Sequence, residues 1–200
     1  MVLTFDGIDG AGKSTQLNLF IDWLKESGRT VTTCRDPGTT DLGEAVRAIL
    51  LGAEYRIDFR AEMLLYMACR AQLVEEVIRP ALARGEVIIS DRYILANVVY
   101  QGSAGGIAPD EIWQVGEIAT ESLLPHLTFV LDLPPEVAAE RLGDKQDRME
   151  ARGIEYFTKV RNGFIEQANR FPDSHAIIDA SQSVEEIQND IRAAFKAKLN

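Results

Sequence analysis

The sequence is poor in the residues that build disulfide frameworks and zinc sites. It has two cysteines, Cys34 and Cys69, and two histidines, His126 and His175. No Cys-x-x-Cys occurs, which excludes a cysteine-bound metal or a dithiol redox motif as the basis of function. The two thiols read as small buried hydrophobes, kept reduced in a cytoplasmic protein. The histidines lie far apart beside apolar runs and read as structural. No stretch reaches the ~18 consecutive apolar residues of a membrane span. The opening Met1-Val2-Leu3-Thr4-Phe5 has no basic region before its apolar run, so it reads as a strand and not as a signal peptide. Positive charge is scarce too: 21 Lys and Arg against 31 Asp and Glu give a net charge of −10. Such a chain is a poor general binder of nucleic acid polymers or anionic membranes, and a phosphate ligand must meet a local basic cluster. What is present is an ordinary globular balance, 46% hydrophobic and 26% charged over 200 residues. Without repeats, linkers or low-complexity tracts, this predicts one domain over residues 1–200.

The hydrophobic pattern alternates between strands and helices. Short apolar strands are expected at Val2–Phe5, Thr30–Cys34, Val87–Ser90, Leu127–Leu133 and Ala176–Ile178. From Ser14, apolar residues Leu17, Phe20, Ile21 and Leu24 fall on one helical face, and Gly28 stops that helix. Further helices are expected over 42–51, 61–83, 112–123 and 157–171, and after Pro134-Pro135. Ser183 and Glu186 stand at capping-box spacing before a last helix. The alternation predicts an α/β fold with a five-stranded parallel sheet flanked by helices.

One motif carries chemistry. Gly7-Ile8-Asp9-Gly10-Ala11-Gly12-Lys13-Ser14 fits G-x-x-x-x-G-K-[ST] and lies between a strand and a helix, the context a phosphate loop requires. Glycines let successive N–H groups turn inward around phosphates, and the helix amino terminus adds partial positive charge. Lys13 then reaches the β- and γ-phosphates, and Ser14 offers its hydroxyl to Mg²⁺. The loop implies a nucleoside triphosphate but names no reaction. A guanine-specific Asn-Lys-x-Asp is lacking; the nearest string, Asp144-Lys145-Gln146-Asp147, has no Asn and lies in a charged loop. The third strand ends in Asp91-Arg92-Tyr93, where a carboxylate for metal-bound water stands beside an arginine suited to a second phosphate. That pairing suggests a small kinase with ATP in one phosphate site and an acceptor in the other.

Four segments in order then resemble the thymidylate kinase family: Phe5 to Thr15; Arg35-Asp36-Pro37-Gly38-Thr39; Asp91-Arg92-Tyr93 with Tyr100-Gln101-Gly102; and Asp147-Arg148-Met149-Glu150 before Val160-Arg161. The resemblance implies a nucleoside monophosphate kinase fold with a short LID at about 142–152. It implies phosphorylation of dTMP to dTDP, with ATP as phosphoryl donor and Mg²⁺ as cofactor, in a cytoplasmic homodimer. Residues 7–15 (Gly7, Ile8, Asp9, Gly10, Ala11, Gly12, Lys13, Ser14 and Thr15) and Arg141 would bind ATP. Asp9, Arg35, Pro37, Tyr66, Arg70, Arg92, Asn97, Tyr100 and Gln101 would form the dTMP pocket. There Tyr66 stacks on thymine, Arg70 bonds to the base, Arg92 grips the acceptor phosphate, and Tyr100 packs under the deoxyribose. Lys13, Asp9, Arg92 and a LID cation, first Arg148 and then Arg141, would be catalytic. Ser14, Asp9 and Asp91 would serve the metal.

The sequence departs from the family pattern in places. Asp6 and Asp36 stand where Glu is usual, and Thr39 stands where Gly is usual. The LID is a few residues short, and Lys145 stands near an expected arginine without its bidentate fork. Two other readings remain open: a kinase for another nucleoside or nucleotide acceptor, and a nucleotide-binding regulatory protein with little catalysis.

Overall fold

β1 (Val2–Gly7) is buried along its whole length, which is why it reads as a continuous apolar run and not as an alternating one. In the computed structural model, which describes residues 1–52, 55–142 and 153–199, it forms the middle of a five-stranded sheet. The others are β2 (Val31–Arg35), β3 (Val87–Asp91), β4 (Leu127–Asp132) and β5 (His175–Asp179). Their order is β2-β3-β1-β4-β5, and every pairing is parallel. All five carboxyl ends therefore lie on one edge. Register brings Phe5 beside Asp91, and Arg35 beside Asp91. Because β1 sits between β3 and β4, chain connections diverge to either side of it, and the loop after β1 occupies the crevice that this reversal opens.

Helices cover both faces. α1 (Lys13–Glu26) and the last helix, α9 (Val184–Leu199), pack on one side. Their Phe20, Trp23 and Phe195 join Phe5 and Phe129 of the sheet, with Phe20 ring centroids 5.4–5.9 Å from the other four. Ser183 and Glu186 do form the capping box that opens α9: the Glu186 N–H donates to Ser183 Oγ at 3.3 Å, and the Ser183 N–H donates to Glu186 Oε2 at 3.0 Å. α2 (Asp41–Leu51) packs on α3 (Phe59–Leu73). α3 continues through a wide π turn (Val74–Ile78) into α4 (Arg79–Ala83), so the single helix expected over 61–83 is continuous but locally underwound.

Two expectations change. The segment after β3 is helical, α5 (Ile94–Asn97) running into a second π turn (Val98–Ser103). It showed no helical period in sequence because residues 93–102 are buried except Ala96, and a helix enclosed on all sides has no polar face to mark it. α6 (Pro109–Thr120) starts and ends three residues before the expected helix. Glu121 and Ser122 turn into left-handed backbone at φ 48° and 58° and terminate it. α7 (Pro135–Leu142) and α8 (Ile154–Arg170) complete the described elements. The LID expected at about 142–152, with Lys145, Asp147 and Arg148, lies outside the described residues apart from Leu142.

Both cysteines are buried and free. His126 uses Nδ1 to accept the Val2 N–H at 3.1 Å, a structural role. Phe20 is fully enclosed. Its replacement by alanine removes the ring on which the α1–sheet–α9 packing converges. Phe20→Ala is expected to cost ~3–5 kcal/mol, the usual range for truncating a buried aromatic, read as a lower urea midpoint at unchanged m-value.

Candidate active site

The loop from β1 to α1 is shaped by close approach and backbone sign. Gly7 has φ 133°, and a Cβ there would stand 2.5 Å from the Leu131 carbonyl oxygen. Gly12, at φ 87°, precedes α1, and no side chain caps the helix. The first amides of α1 are thus left for an anion, together with the positive end of the helix dipole. Lys13 is only 8% exposed and folds back on its own loop. Its Nζ donates to the carbonyls of Gly7 at 3.0 Å and Ile8 at 2.8 Å, and to Asp9 Oδ1 at 3.4 Å. Burial, reinforced by the neighbouring Arg92 charge, lowers the Lys13 pKa below the usual lysine value.

Arg92 faces this loop from the end of β3. Its backbone is left-handed, φ 68°, a conformation that a non-glycine residue keeps only when its surroundings hold it. They do. The Arg92 N–H donates to the Phe5 carbonyl at 3.0 Å, and Ser90 Oγ donates to the Arg92 carbonyl at 2.7 Å. The guanidinium lies 5.0 Å from the Tyr100 ring centroid, and its Nη2 donates to Asp9 Oδ1 at 2.6 Å and to the Tyr100 hydroxyl at 3.3 Å. Nη1 is buried and has no hydrogen-bond partner among the described residues. One edge of the fork is anchored while the other is free for an anion. Burial works to raise the Asp9 pKa, but Arg92 and Lys13 outweigh it and hold the carboxyl at about 2.

Beneath them lies Asp6, fully buried, with neither carboxyl oxygen hydrogen-bonded among the described residues. Burial pushes its pKa up to about 7, against the pull of Arg92 and Lys13. Asp91 Oδ1 is likewise buried without a partner.

A second cluster lies along the same cleft. Arg70 on α3 is 1% exposed. Its Nε donates to Asp36 Oδ2 at 2.5 Å, Nη2 donates to Asn97 Oδ1 at 2.7 Å and to the Tyr93 carbonyl at 3.1 Å, and Nη1 meets Met67 Sδ at 2.9 Å. Burial raises the Asp36 pKa despite this ion pair. Tyr66, four residues before Arg70, is half-buried on the same face of α3. The turn after β2 holds Pro37 after a cis peptide bond and Thr39 at φ 71°. Thr39, where glycine is usual in the resembling family, is held by its Oγ1, which accepts the Arg35 N–H at 2.8 Å. Arg35 itself pairs with Glu44 at 2.9 Å on the rim.

A single cleft of about 500 Å³ joins the two clusters. Its walls include Asp9, Gly10, Gly12, Lys13, Ser14 and Thr15 of the loop, and Arg35, Pro37, Tyr66, Arg70, Asp91, Arg92, Asn97, Tyr100, Gln101 and Arg141. Of the other expected residues, Gly7, Ile8 and Ala11 shape the loop from behind and do not line the cleft. Arg148 lies outside the described residues. The structure adds Asp36, Arg47, Leu51 and Ala96 to the walls. Arg47 donates to the Pro37 carbonyl at 3.1 Å; it lies outside every motif, and only its place on the inner face of α2 brings it to the cleft. The arrangement can hold two anions, one at the loop and one at Arg92, with a planar polar group between Tyr66 and Arg70.

Comparison with known proteins bears on the same cleft. The family model described as thymidylate kinase matches residues 5–191. A thymidylate kinase of Rhodopirellula baltica is 43% identical over 192 residues, covering 96% of this chain and 78% of that one. One of Thermosipho africanus is 41% identical over 200 residues, covering 100% and 99%. The crystal structure of the thymidylate kinase from Ehrlichia chaffeensis superposes with a TM-score of 0.80 at 28% identity, covering 98% of both chains. A match that runs from β1 into α9 takes in every wall of the cleft, and the chain belongs to the thymidylate kinase family.

Proposed function

We propose that the chain transfers the γ-phosphoryl group of ATP to dTMP, giving dTDP and ADP. The observation that carries this reading is Arg92: a left-handed, double-anchored arginine with a free buried Nη1, facing a phosphate loop across one cleft. Family membership and the names of its relatives supply the acceptor's identity.

In this reading the ATP phosphates lie against Gly10 to Thr15, and Lys13 leaves its loop carbonyls to meet them. dTMP lies across the carboxyl ends of the strands, its base between Tyr66 and Arg70, with Tyr100 beneath the sugar and its phosphate on Arg92. An oxygen of that phosphate attacks the γ-phosphorus in line. The bond to the β,γ-bridging oxygen breaks, and ADP leaves with the electron pair. No general base is needed, because a phosphate monoester is already anionic near pH 7. The work is alignment and charge neutralisation, supplied by Lys13, Arg92 and a cation from Arg141 or from Arg148. Asp9 stays ionised through the neutral range and fixes the Arg92 fork.

The residues fit a magnesium ion. Ser14, Asp9 and Asp91 border the same cleft, and Asp91 Oδ1 has no protein partner among the described residues. No cluster of three ligating side chains occurs among those residues, which suits an ion that keeps waters and takes phosphate oxygens. When bound, Mg²⁺ would bridge phosphates and offset their charge. No described helix is long and apolar enough to cross a membrane. We place the protein in the cytoplasm as a homodimer; exposed Leu64 on α3 and Ile118 on α6, helices that pack together, supply apolar surface for such a contact.

A coupled ADP-release assay with ATP and Mg²⁺ over dTMP, dUMP, dCMP, dGMP and AMP is expected to show strong preference for dTMP. Activity confined to another acceptor would sink the pocket assignment, and ATP binding without turnover would favour a regulatory protein. Arg92→Ala is expected to lower kcat/KM for dTMP by ~10²–10³, the range for losing one preorganised charge-stabilising donor, with KM for ATP little changed. Asp6 has a folded-state pKa of about 7 against an ordinary 3.8. Its contribution to stability is complete below pH 3.8 and is lost as pH rises through about 7. Melting curves are thus expected to show stability falling between pH 5 and 8 more steeply in the native protein than in Asp6→Asn.

A further inference from the structure

Arg70, Asn97 and Gln101 are linked to a buried carboxylate that does not border the cleft. Glu62 lies on α3, four residues before Tyr66 and eight before Arg70, and so on the same helix face. It is fully buried, which is rare for a glutamate unless its oxygens are engaged. Gln101 Nε2 donates to Glu62 Oε1 at 2.6 Å. Asn97 Nδ2 donates to Gln101 Oε1 at 2.8 Å, and Asn97 Oδ1 accepts from Arg70 Nη2 at 2.7 Å.

The direction of this relay is forced. A guanidinium has only donors, so Asn97 must turn its oxygen to Arg70 and its NH₂ to Gln101. Gln101 must then turn its oxygen to Asn97 and its NH₂ to Glu62. An ionised carboxylate has only acceptors, so it pins the far end in the same sense. Flipping either amide would set two NH₂ groups, or two oxygens, against each other in a buried space, where an unmade hydrogen bond costs ~1–3 kcal/mol. Arg70 is thereby held in one orientation, with Asp36 on Nε and Asn97 on Nη2. What it shows the cleft is N–H donors alone.

We infer that Glu62 is a positioning residue for base selection: it fixes the amide polarity of Gln101 and Asn97, and through them holds Arg70 as a reader of a pyrimidine carbonyl. This rests on the reading above that the base of dTMP lies against Tyr66 and Arg70. A base with a carbonyl at the position that meets Arg70 is accepted. A base with an amino group there, as in dCMP, sets donor against donor and is refused. Glu62 touches no substrate. With its acceptor removed, Gln101 and Asn97 can reorient and Arg70 loses its fixed pose.

The test is steady-state kinetics on Glu62→Leu, Glu62→Asp and Glu62→Gln, with dTMP and dCMP as acceptors and with Arg70→Met as the reference variant. Glu62→Leu is expected to raise KM for dTMP about tenfold and to lower the dTMP-to-dCMP ratio of kcat/KM about tenfold, the scale of one buried hydrogen-bonded group. Its kcat for dTMP and its KM for ATP stay within about threefold, since neither depends on the base pocket. Glu62→Gln keeps an acceptor oxygen and restores the ratio. Glu62→Asp withdraws the carboxylate by one methylene and shows the same loss in smaller measure; it carries the test if the leucine variant does not fold. If Arg70→Met raises KM for dTMP while the Glu62 variants leave the ratio unchanged, the inference fails and the pocket stands. The inference also fails if Glu62→Gln is as impaired in selectivity as Glu62→Leu. If Arg70→Met leaves KM for dTMP unmoved, the pocket reading fails and takes the inference with it.

Discussion

The ion pair between the Arg92 guanidinium and the Asp9 carboxylate, at 2.6 Å, joins two parts of the chain that are 83 residues apart. Asp9 belongs to the loop after β1 and Arg92 to the turn after β3. They meet because β1 and β3 are parallel neighbours in a register that sets Phe5 beside Asp91. A slip of one residue would turn every side chain of one strand to the opposite face and would carry Arg92 away from the loop. The hydrophobic pattern guards that register: Leu3 and Phe5 pack in the cluster with Phe20, while Val2 and Ile88 pack in the cluster with Met63 and Met67. Core packing is thus the reason that the two anion sites face each other.

The same contact explains a local excess of buried charge that would otherwise be costly. Lys13, Arg92, Asp6, Asp9 and Asp91 converge at the ends of three strands in a chain that is acidic overall. Only part of this set is internally paired. Asp9 is locked, Lys13 rests on carbonyls, and Asp6, Asp91 and Arg92 Nη1 keep unpartnered atoms among the described residues. An unpaired buried charge destabilises a fold, so a site that keeps several is set up for ligands that complete it. Phosphate on Arg92 and a hydrated cation near Asp91 are complementary to those vacancies in sign and in hydrogen-bonding type.

Much of this was legible in the sequence where the signal is local. The phosphate loop is spelled by contiguous residues, since its geometry depends on neighbouring amides and on glycine. The Ser183–Glu186 capping box is read in the same way, as are the strand ends that place Asp91 and Arg92. Features that arise from enclosure were not legible. α5 and its π turn carry Asn97, Tyr100 and Gln101 into the cleft, yet their segment shows no period because nearly all of it is buried. The reading of 61–83 gave one continuous helix, but nothing in a residue pattern distinguishes a π turn from a regular one. Arg47 and Asp36 reach the cleft through tertiary packing of the turn after β2 against α2 and α3. Glu62 did leave a trace: a charged residue at i and an arginine at i+8 flank Tyr66 on one face of α3, and that face also carries buried Met63.

The two clusters of the cleft differ in how they are built, and the difference follows from what each must do. Around Arg70 the described polar groups are tightly paired, so Arg70, Asn97 and Gln101 hold one arrangement whether or not a base is present. A rigid donor edge discriminates because it cannot rearrange to suit the wrong partner. Around Lys13 and Arg92 the pairing is incomplete, and Lys13 must exchange its loop carbonyls for phosphate oxygens. Such exchange costs little, because the carbonyls of Gly7 and Ile8 stay in their turn while the ammonium remains solvated by oxygen throughout. Selectivity thus resides in the closed network and charge transfer in the open one. Tyr100 and Arg92 are where they touch: the Tyr100 hydroxyl accepts from Arg92 on one side, and the residue following Tyr100 is Gln101, whose amide belongs to the closed network. A base held correctly by Arg70 therefore brings its sugar over Tyr100 and its phosphate to the free edge of Arg92, which couples recognition of the base to alignment for phosphoryl transfer without any moving part in the described structure.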